Sequence, residues 1–537
     1  MWRWFDRSIV ALGREFRLTF MPPLMVYAAA GISGLTAIVG TFYVKERLGL
    51  SAEFLAALGF WAMLPWALKM PLGHLVDLIW RFKSVFVYLG ASLIAASLLI
   101  MIGLLGHTDQ MLAVAPAGAW FVLATLLAPV GYVVQDIVAD AMTVEAVPRV
   151  DEDGNPYPEA QRKSMHTTMQ LLGRVAIISG GILVAFANVF LLEGVGELPE
   201  KEKAEAYLFV YQLALIIPVI SVFGVLLASW LRHRSIVHHM KQGRTRKEAL
   251  ELIEVHSEPP AVNWWILGGG LGFAALSIGI GLSEIEAAQE IVFVISMAIV
   301  IFLITRLTRE LDPQARNMLV GTAIIIFAFR AIPTTGAGTS WWMIDDLGFD
   351  QQFLAVLSVI ASGLALFGII IFRRFMAERS IAYIVSALTI AGFVLMLPDI
   401  GMYYGLHHWT SEMTNGVVDA RFIALIDTAL ESPLGQIAMI PMLAWIANSA
   451  PDKLKATFFA VMASFTNLAL SASQLGTKYL NKLFTVSREV RDPATGVVTV
   501  PADYSELGIL LITAAVIALT LPLLAILFVR LSPLRNA

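Results

Sequence analysis

Residues 84–106 read SVFVYLGASLIAASLLIMIGLLG, a run of 23 residues without a single charge. As an α-helix the run rises about 34 Å, enough to cross a hydrocarbon core of about 30 Å. Arg81 and Lys83 precede it, and His107 and Asp109 follow. Similar runs recur from near residue 22 to near residue 529. Of the 537 residues, 58% are hydrophobic and 15% charged, against roughly 25% charged in an average soluble domain. A soluble chain of this length would divide into about three or four domains joined by polar linkers, and no such linkers appear. These features exclude a soluble enzyme, a disordered chain and a nucleic-acid binder. The runs are too long and too evenly apolar for barrel strands, which alternate over about 10 residues. The predicted class is therefore an all-α integral membrane protein.

Helices are predicted near 22–44, 52–80, 84–106, 113–146, 163–192, 205–231, 263–283, 288–305, 317–344, 351–372, 380–398, 418–448, 455–484 and 507–529, about 14 transmembrane helices. If the N-terminus is cytoplasmic, 25 of the 37 Lys and Arg residues fall in inner loops or termini and 8 in outer loops. That three-to-one bias is what the positive-inside rule requires, so both termini are predicted cytoplasmic. The segment Met1–Phe20 carries charges throughout, unlike a cleavable signal, and reads as an interfacial helix. The longest basic loop, Arg232 to Pro260, lies near the middle of the chain. This gives a 1–21 cytoplasmic interfacial segment, a 22–231 six-helix bundle, a 232–262 basic loop and two inserted helices over 263–315. A second six-helix bundle over 316–531 and a 532–537 tail follow. Two parallel six-helix repeats are the layout of the major facilitator fold. Pro148 and Pro451 each follow the fourth helix of a half.

Four basic residues, Lys69, Arg174, Arg330 and Arg421, fall inside predicted helices. A charge at mid-membrane costs on the order of 3 kcal/mol on insertion scales, so these positions call for a reason. Asp136 and Asp140 are four apart and share a helix face. They lie at about the depth of Arg174 on the next helix, so Arg174 is expected to pair with one of them. Gln170 lies one turn before it. In the second half the polar set is Arg330, Asp427, Glu431, Gln436, Asn467 and Gln474. Asp427 and Glu431 lie about 15–18 Å nearer the outside than Asp136. Buried carboxyls carry protons in pumps and transporters, so proton coupling is expected. Gly73, Asp77, Arg81 and Lys83 have the spacing of a gate loop between two helices, with Glu145 near the same end. The nine histidines do not gather at metal-ligand spacing, no phosphate loop is present and there is no cysteine. No metal site, cofactor or enzyme chemistry is therefore expected.

Leu64-Pro65-Trp66-Ala67-Leu68-Lys69 with Gly73 and Asp77 resembles the "PWxxKP…G…SD" segment of the folate–biopterin transporter family. Asp136-Ile-Val-Ala-Asp140 through Glu145 is similar to its "DvvvDalvvE" stretch. Pro333, Trp341-Trp342 and Asp346-Leu347-Gly348-Phe349 resemble its "P…s…fF…eLGF" pattern. Asp427, Pro441, Pro451, Thr457 and Ser464 to Asn467 resemble a further one. Met70, Val76 and Lys455 depart from the family pattern. The resemblance covers roughly 22–231 and 316–484. It implies the major facilitator fold and a secondary transporter of a folate- or pterin-like anion working by alternating access. Lys69, Arg174 and Arg330 then become partners of the anion, and Trp66, Trp341 and Trp342 either stack a heterocycle or, as favoured for the last two, anchor at the interface. The Gln135 to Asp140 tract also resembles the muropeptide permease and acetyl-CoA transporter group. A non-transporting assembly factor on the same fold is the reading from another class. The expected partners are a small anionic substrate, a proton and the lipid bilayer, with no nucleic acid. The expected location is the bacterial inner membrane.

Overall fold

The computed structural model describes residues 16–534 except 49, 68, 80–81, 149, 152–154, 254–261, 263, 282, 284, 286, 311, 373–378, 435–436, 438–454 and 492–497. The Met1–Glu15 part of the expected interfacial helix, Arg81, Gln436, Pro441 and Pro451 lie outside the described residues. So do the side chains of Asp77, Gln170, Lys455 and Thr457.

Helices dominate, as a bilayer demands of a chain that must satisfy its own backbone. In chain order they are α1 (Met21–Gly31), α2 (Ala37–Arg47), α3 (Ala52–Ala67), α4 (Lys69–Leu78), α5 (Lys83–Gly106), α6 (Thr108–Leu112), α7 (Ala117–Ala146), α8 (Glu159–Leu191), α9 (Glu200–Ala214), α10 (Ile216–Lys241) and α11 (Arg246–Ile253). Then come α12 (Trp264–Gly281), α13 (Ala288–Leu307), α14 (Pro313–Arg330), α15 (Ala337–Asp345), α16 (Gln351–Ile371), α17 (Ile381–Leu395), α18 (Leu397–Tyr403), α19 (Leu406–Met413), α20 (Ala420–Glu431), α21 (Lys455–Leu483) and α22 (Leu507–Leu531). A short hairpin, Val490–Arg491 with Val498–Val500, stands between the last two. Among the described residues 11 helical segments are long and apolar enough to cross a membrane.

Several expected elements differ from the observed ones. The helix expected over 317–344 is broken between Arg330 and Ala337. Pro333 has no N–H to donate, and Gly336 takes φ +74°, a conformation that favours glycine. The freed backbone groups are taken up by α21. Ser473 Oγ donates to the Ile332 carbonyl at 2.6 Å, the Thr334 N–H donates to Thr477 Oγ1 at 2.9 Å, and Asn481 Nδ2 donates to the Thr335 carbonyl at 3.2 Å. The basic loop expected from Arg232 is helical through Lys241 and again over Arg246–Ile253. The expected 380–398 helix runs further, as α17 and α18 with Pro398 at the joint.

Glycines set the closest helix contacts. A Cβ on Gly90 of α5 would lie 2.6 Å from the Gly131 carbonyl oxygen of α7, and one on Gly31 of α1 would lie 2.4 Å from the Ile177 oxygen of α8. Small residues permit such approach where apolar lipid supplies no hydrophobic drive. Beside this pair Gln135 donates to the Val87 carbonyl and accepts from Ser221, so α5, α7 and α10 meet at one buried amide. Helix α3 packs along α21, and α8 along α16. The pair α12 and α13 packs on both α4 and α21. Gln289 of α13 donates to the Ala57 carbonyl, while Glu290 accepts from Lys478 and Tyr479.

Replacing Gly90 by Val should lower stability by about 1–3 kcal/mol through overpacking, read as a fall in the melting temperature of the purified protein. Thr477→Val should cost a similar amount, because the Thr334 N–H is left without its acceptor. Val at the exposed Thr520 position of α22 should cost little and serves as the control.

Candidate functional site

The site starts at the first residue of α4. Lys69 Nζ lies 2.6 Å from Asp136 Oδ2 and 2.7 Å from Asp140 Oδ2. Four-residue spacing on α7 brings both acids to the same side, so one ammonium bridges them. Asp140 also accepts a hydrogen bond of 2.6 Å from the hydroxyl of Tyr27 on α1. The Tyr27 ring lies on α8 at Gly173, where a Cβ would come within 2.9 Å of it. Four helix segments thus converge on one charged network. Lys69 and Asp136 are mostly enclosed, whereas the Asp140 side chain is half open.

The expected pairing of Arg174 with Asp136 or Asp140 is not formed. Lys69 occupies both acids, and Arg174 makes no ion pair with either. Arg174 stands next to Gly173 and close enough to act electrostatically on Asp136 and Tyr27. Its side chain is exposed, in the middle of a 33-residue helix. The cation comes instead from α4, whose Lys69 contacts both acids. Tyr27 and Gly173 were not singled out from sequence. A lone tyrosine in the apolar 22–44 run was the available signal.

The gate residues divide. Lys83 pairs with Glu145, which joins the start of α5 to the end of α7. Gly73 lies within α4 with open space at its Cβ position.

In the second half, Arg330 Nε donates to the Thr466 carbonyl at 3.0 Å. The adjacent Asn467 donates to the Trp66 carbonyl at 3.3 Å. These two therefore tie α21 to α14 and to α3. Asp427 and Glu431 share a face, with no cation on them among the described residues. Arg421 is instead held by Asp350 Oδ2 at 3.0 Å and the Gly348 carbonyl. Asp427 Oδ1 is buried without a hydrogen-bond partner among the described residues. Asp399 of α18, which sequence reading missed, acts electrostatically on Asp427, and Glu431 acts on both. Neither Trp341 nor Trp342 anchors at the lipid interface, since both are buried, at 1% and 3% exposure. Trp342 packs against Tyr403 and Trp341 beneath the Arg488 guanidinium.

Residues 30–534 match the BT1 family. The chain belongs to that family. The folate-biopterin transporter of Synechocystis sp. (strain ATCC 27184 / PCC 6803 / Kazusa) is 23% identical over 481 residues, 87% of this chain and 75% of the relative. Among solved structures, a POT family transporter in complex with 5-aminolevulinic acid superposes with a TM-score of 0.60 at 14% identity, covering 96% of each chain. The nucleoside transporter NupG (D323A mutant) gives 0.53 at 12% identity, covering 95% of this chain and 99% of that one. The fold is that of the major facilitator transporters, and the protein is a multi-pass membrane transporter rather than an enzyme. The family resemblance expected from the motifs around Lys69, Asp136 and Asn467 holds.

Lys69→Ala should leave two acids facing each other and cost about 3–5 kcal/mol, the penalty for breaking a buried pair on one side. Adding Asp136→Asn and Asp140→Asn should restore most of the lost melting temperature, because the repulsion disappears with the charges. Thermal unfolding in detergent checks both.

Proposed function

We propose that the protein is a secondary active transporter of a small organic anion of folate or pterin type, driven by protons, in the bacterial inner membrane. The observation that carries this reading is Arg174, a cation at mid-helix with no acid bound to it among the described residues, beside a Lys69 already shared by two carboxylates. Counted at neutral pH, Lys69, Arg174, Asp136 and Asp140 sum to zero charge. An anion bound to Arg174 makes the site negative, and a proton taken up by Asp136 or Asp140 returns it to zero. A low-dielectric interior favours the neutral combination, so anion and proton enter together. Arg suits this role because its planar fork meets a carboxylate at two points.

The proposed cycle is alternating access between halves 22–231 and 316–531, both termini cytoplasmic, with 263–315 as an inserted pair. Asp399, Asp427 and Glu431 form a second carboxylate group without a facing cation among the described residues, which supports proton handling in the second half. The broken α14–α15 segment supports the same reading, because irregular backbone within a membrane is tolerated where it is held by protein or lines a cavity. Secondary transporters place their sites at such interruptions.

Uptake into proteoliposomes tests the proposal, with labelled folate, biopterin, a muropeptide and acetyl-CoA offered in parallel. Accumulation of folate or biopterin under an inward proton gradient, abolished by an uncoupler, is the expected result. Arg174→Gln should reduce uptake at least tenfold, on the order of the 1–3 kcal/mol carried by a charged hydrogen bond. Asp136→Asn with Asp140→Asn should leave exchange but remove gradient-driven accumulation. Accumulation of the muropeptide or acetyl-CoA alone would replace the substrate class. Uptake indifferent to the gradient would remove the proton.

A further inference from the structure

Arg488 belongs to the 483–507 connection and reads in sequence as an ordinary outer-loop basic residue. In the structure it is buried, 3% exposed. Its Nε donates to the Lys45 carbonyl at 2.7 Å, and its Nη1 to the Leu50 carbonyl at 2.5 Å. Its guanidinium carbon lies 4.8 Å from the centre of the Trp341 ring. Lys45 is in the last turn of α2, whose carbonyls have no intrahelical donor and which carries the negative end of the helix dipole. One side chain from the second half of the chain therefore closes the end of the first helical pass, with an aromatic plate from α15 behind it.

Around this contact lie further ties between the same two parts. Lys45 pairs with Asp345, which also accepts from the Tyr504 hydroxyl. Gln351 of α16 donates to the Tyr207 hydroxyl of α9 at 2.7 Å. Lys45, Asp345 and Gln351 sit at helix ends, and Tyr207 lies about two turns into α9. Unlike Lys45, which Asp345 pairs, Arg488 is held by neutral carbonyls, with Nη2 left without a partner among the described residues. Releasing it strands no buried counter-charge on the other side. It breaks two charge-assisted hydrogen bonds and one cation–π contact, and water can replace them.

We propose that Arg488 is a positioning residue for transport, the latch that holds this face shut for part of the cycle. The proposal rests on the alternating-access reading above. One of its acceptors, the Lys45 carbonyl, is held within the last turn of α2, so the latch is firm when seated. Because no acid is sequestered with it, it is also reversible. Lysine cannot replace it, since a single ammonium cannot fork to two carbonyls and stack on a ring together.

The chain has no cysteine, so two introduced cysteines are the only labelling sites. Asp109→Cys and Val417→Cys place spin labels on exposed positions of the two halves at this face, away from the latch and the charged site. Distances are read by double electron–electron resonance in lipid nanodiscs, with and without folate at pH 5.5 and 7.5. The unmodified latch should give mainly one short distance at rest. Arg488→Ala should populate a longer one, lowering the closed-to-open ratio about tenfold or more for the loss of two charged hydrogen bonds. Arg488→Lys, which keeps the charge and guards against misfolding of the alanine variant, should shift in the same direction. If the unmodified protein moves between the two distances while both Arg488 variants match it, the latch is overturned and alternating access stands. If no condition moves the distance in any variant, alternating access itself fails.

Discussion

A bilayer interior offers no water, so every polar group placed in it must find its partner within the chain. Most of the structure can be followed from that constraint. It makes the backbone helical, and it draws Lys69 between Asp136 and Asp140 with Tyr27 on the remaining oxygen. It also recruits Ser473, Thr477 and Asn481 to the broken segment around Pro333. Where the constraint is not met, the exception is informative. Among the described residues Arg174 has no acid, and Asp427 keeps an unpartnered oxygen. One is an exposed cation in the middle of a helix, the other a carboxyl beside two more carboxyls. The proposed coupling of anion and proton uses a group of each kind.

Much of the fold was legible in the sequence, because the signal for a membrane span is length and apolarity, and both are local. The run 84–106 reads directly as α5, and 507–529 as α22. The breaks were less legible. Pro333 and Gly336 mark an interruption, but Pro65, Pro129 and Pro522 sit inside helices that continue. Which proline ends a helix depends on whether a neighbouring helix can supply donors and acceptors, and that is a property of packing.

The candidate site was legible as a set of residues and not as a set of pairs. Lys69, Asp136, Asp140 and Arg174 stand out because charges are rare in apolar runs. Their partners depend on which helices touch, and depth along one helix does not settle that. The two aromatic residues on α15 teach the same lesson. Trp341 and Trp342 look like interface anchors by position, yet Arg488, about 147 residues later, covers the first of them. The family relationship gives the fold and the transport class, while the chemistry of the site must be built from these contacts.

The interruption between α14 and α15 binds distant parts of the molecule into one piece. Its carbonyls and N–H groups are fastened to α21 over two helical turns, from Ser473 to Asn481. On the far side of the break, α15 carries Trp341 and Asp345, which face the first helical pass. On α21, Asn467 holds the Trp66 carbonyl three residues before Lys69. A continuous run of contacts therefore leads from the neighbourhood of the charged network to the Arg488 contact. A displacement at one end has to stretch or break those hydrogen bonds before the rest of the molecule can stay in place.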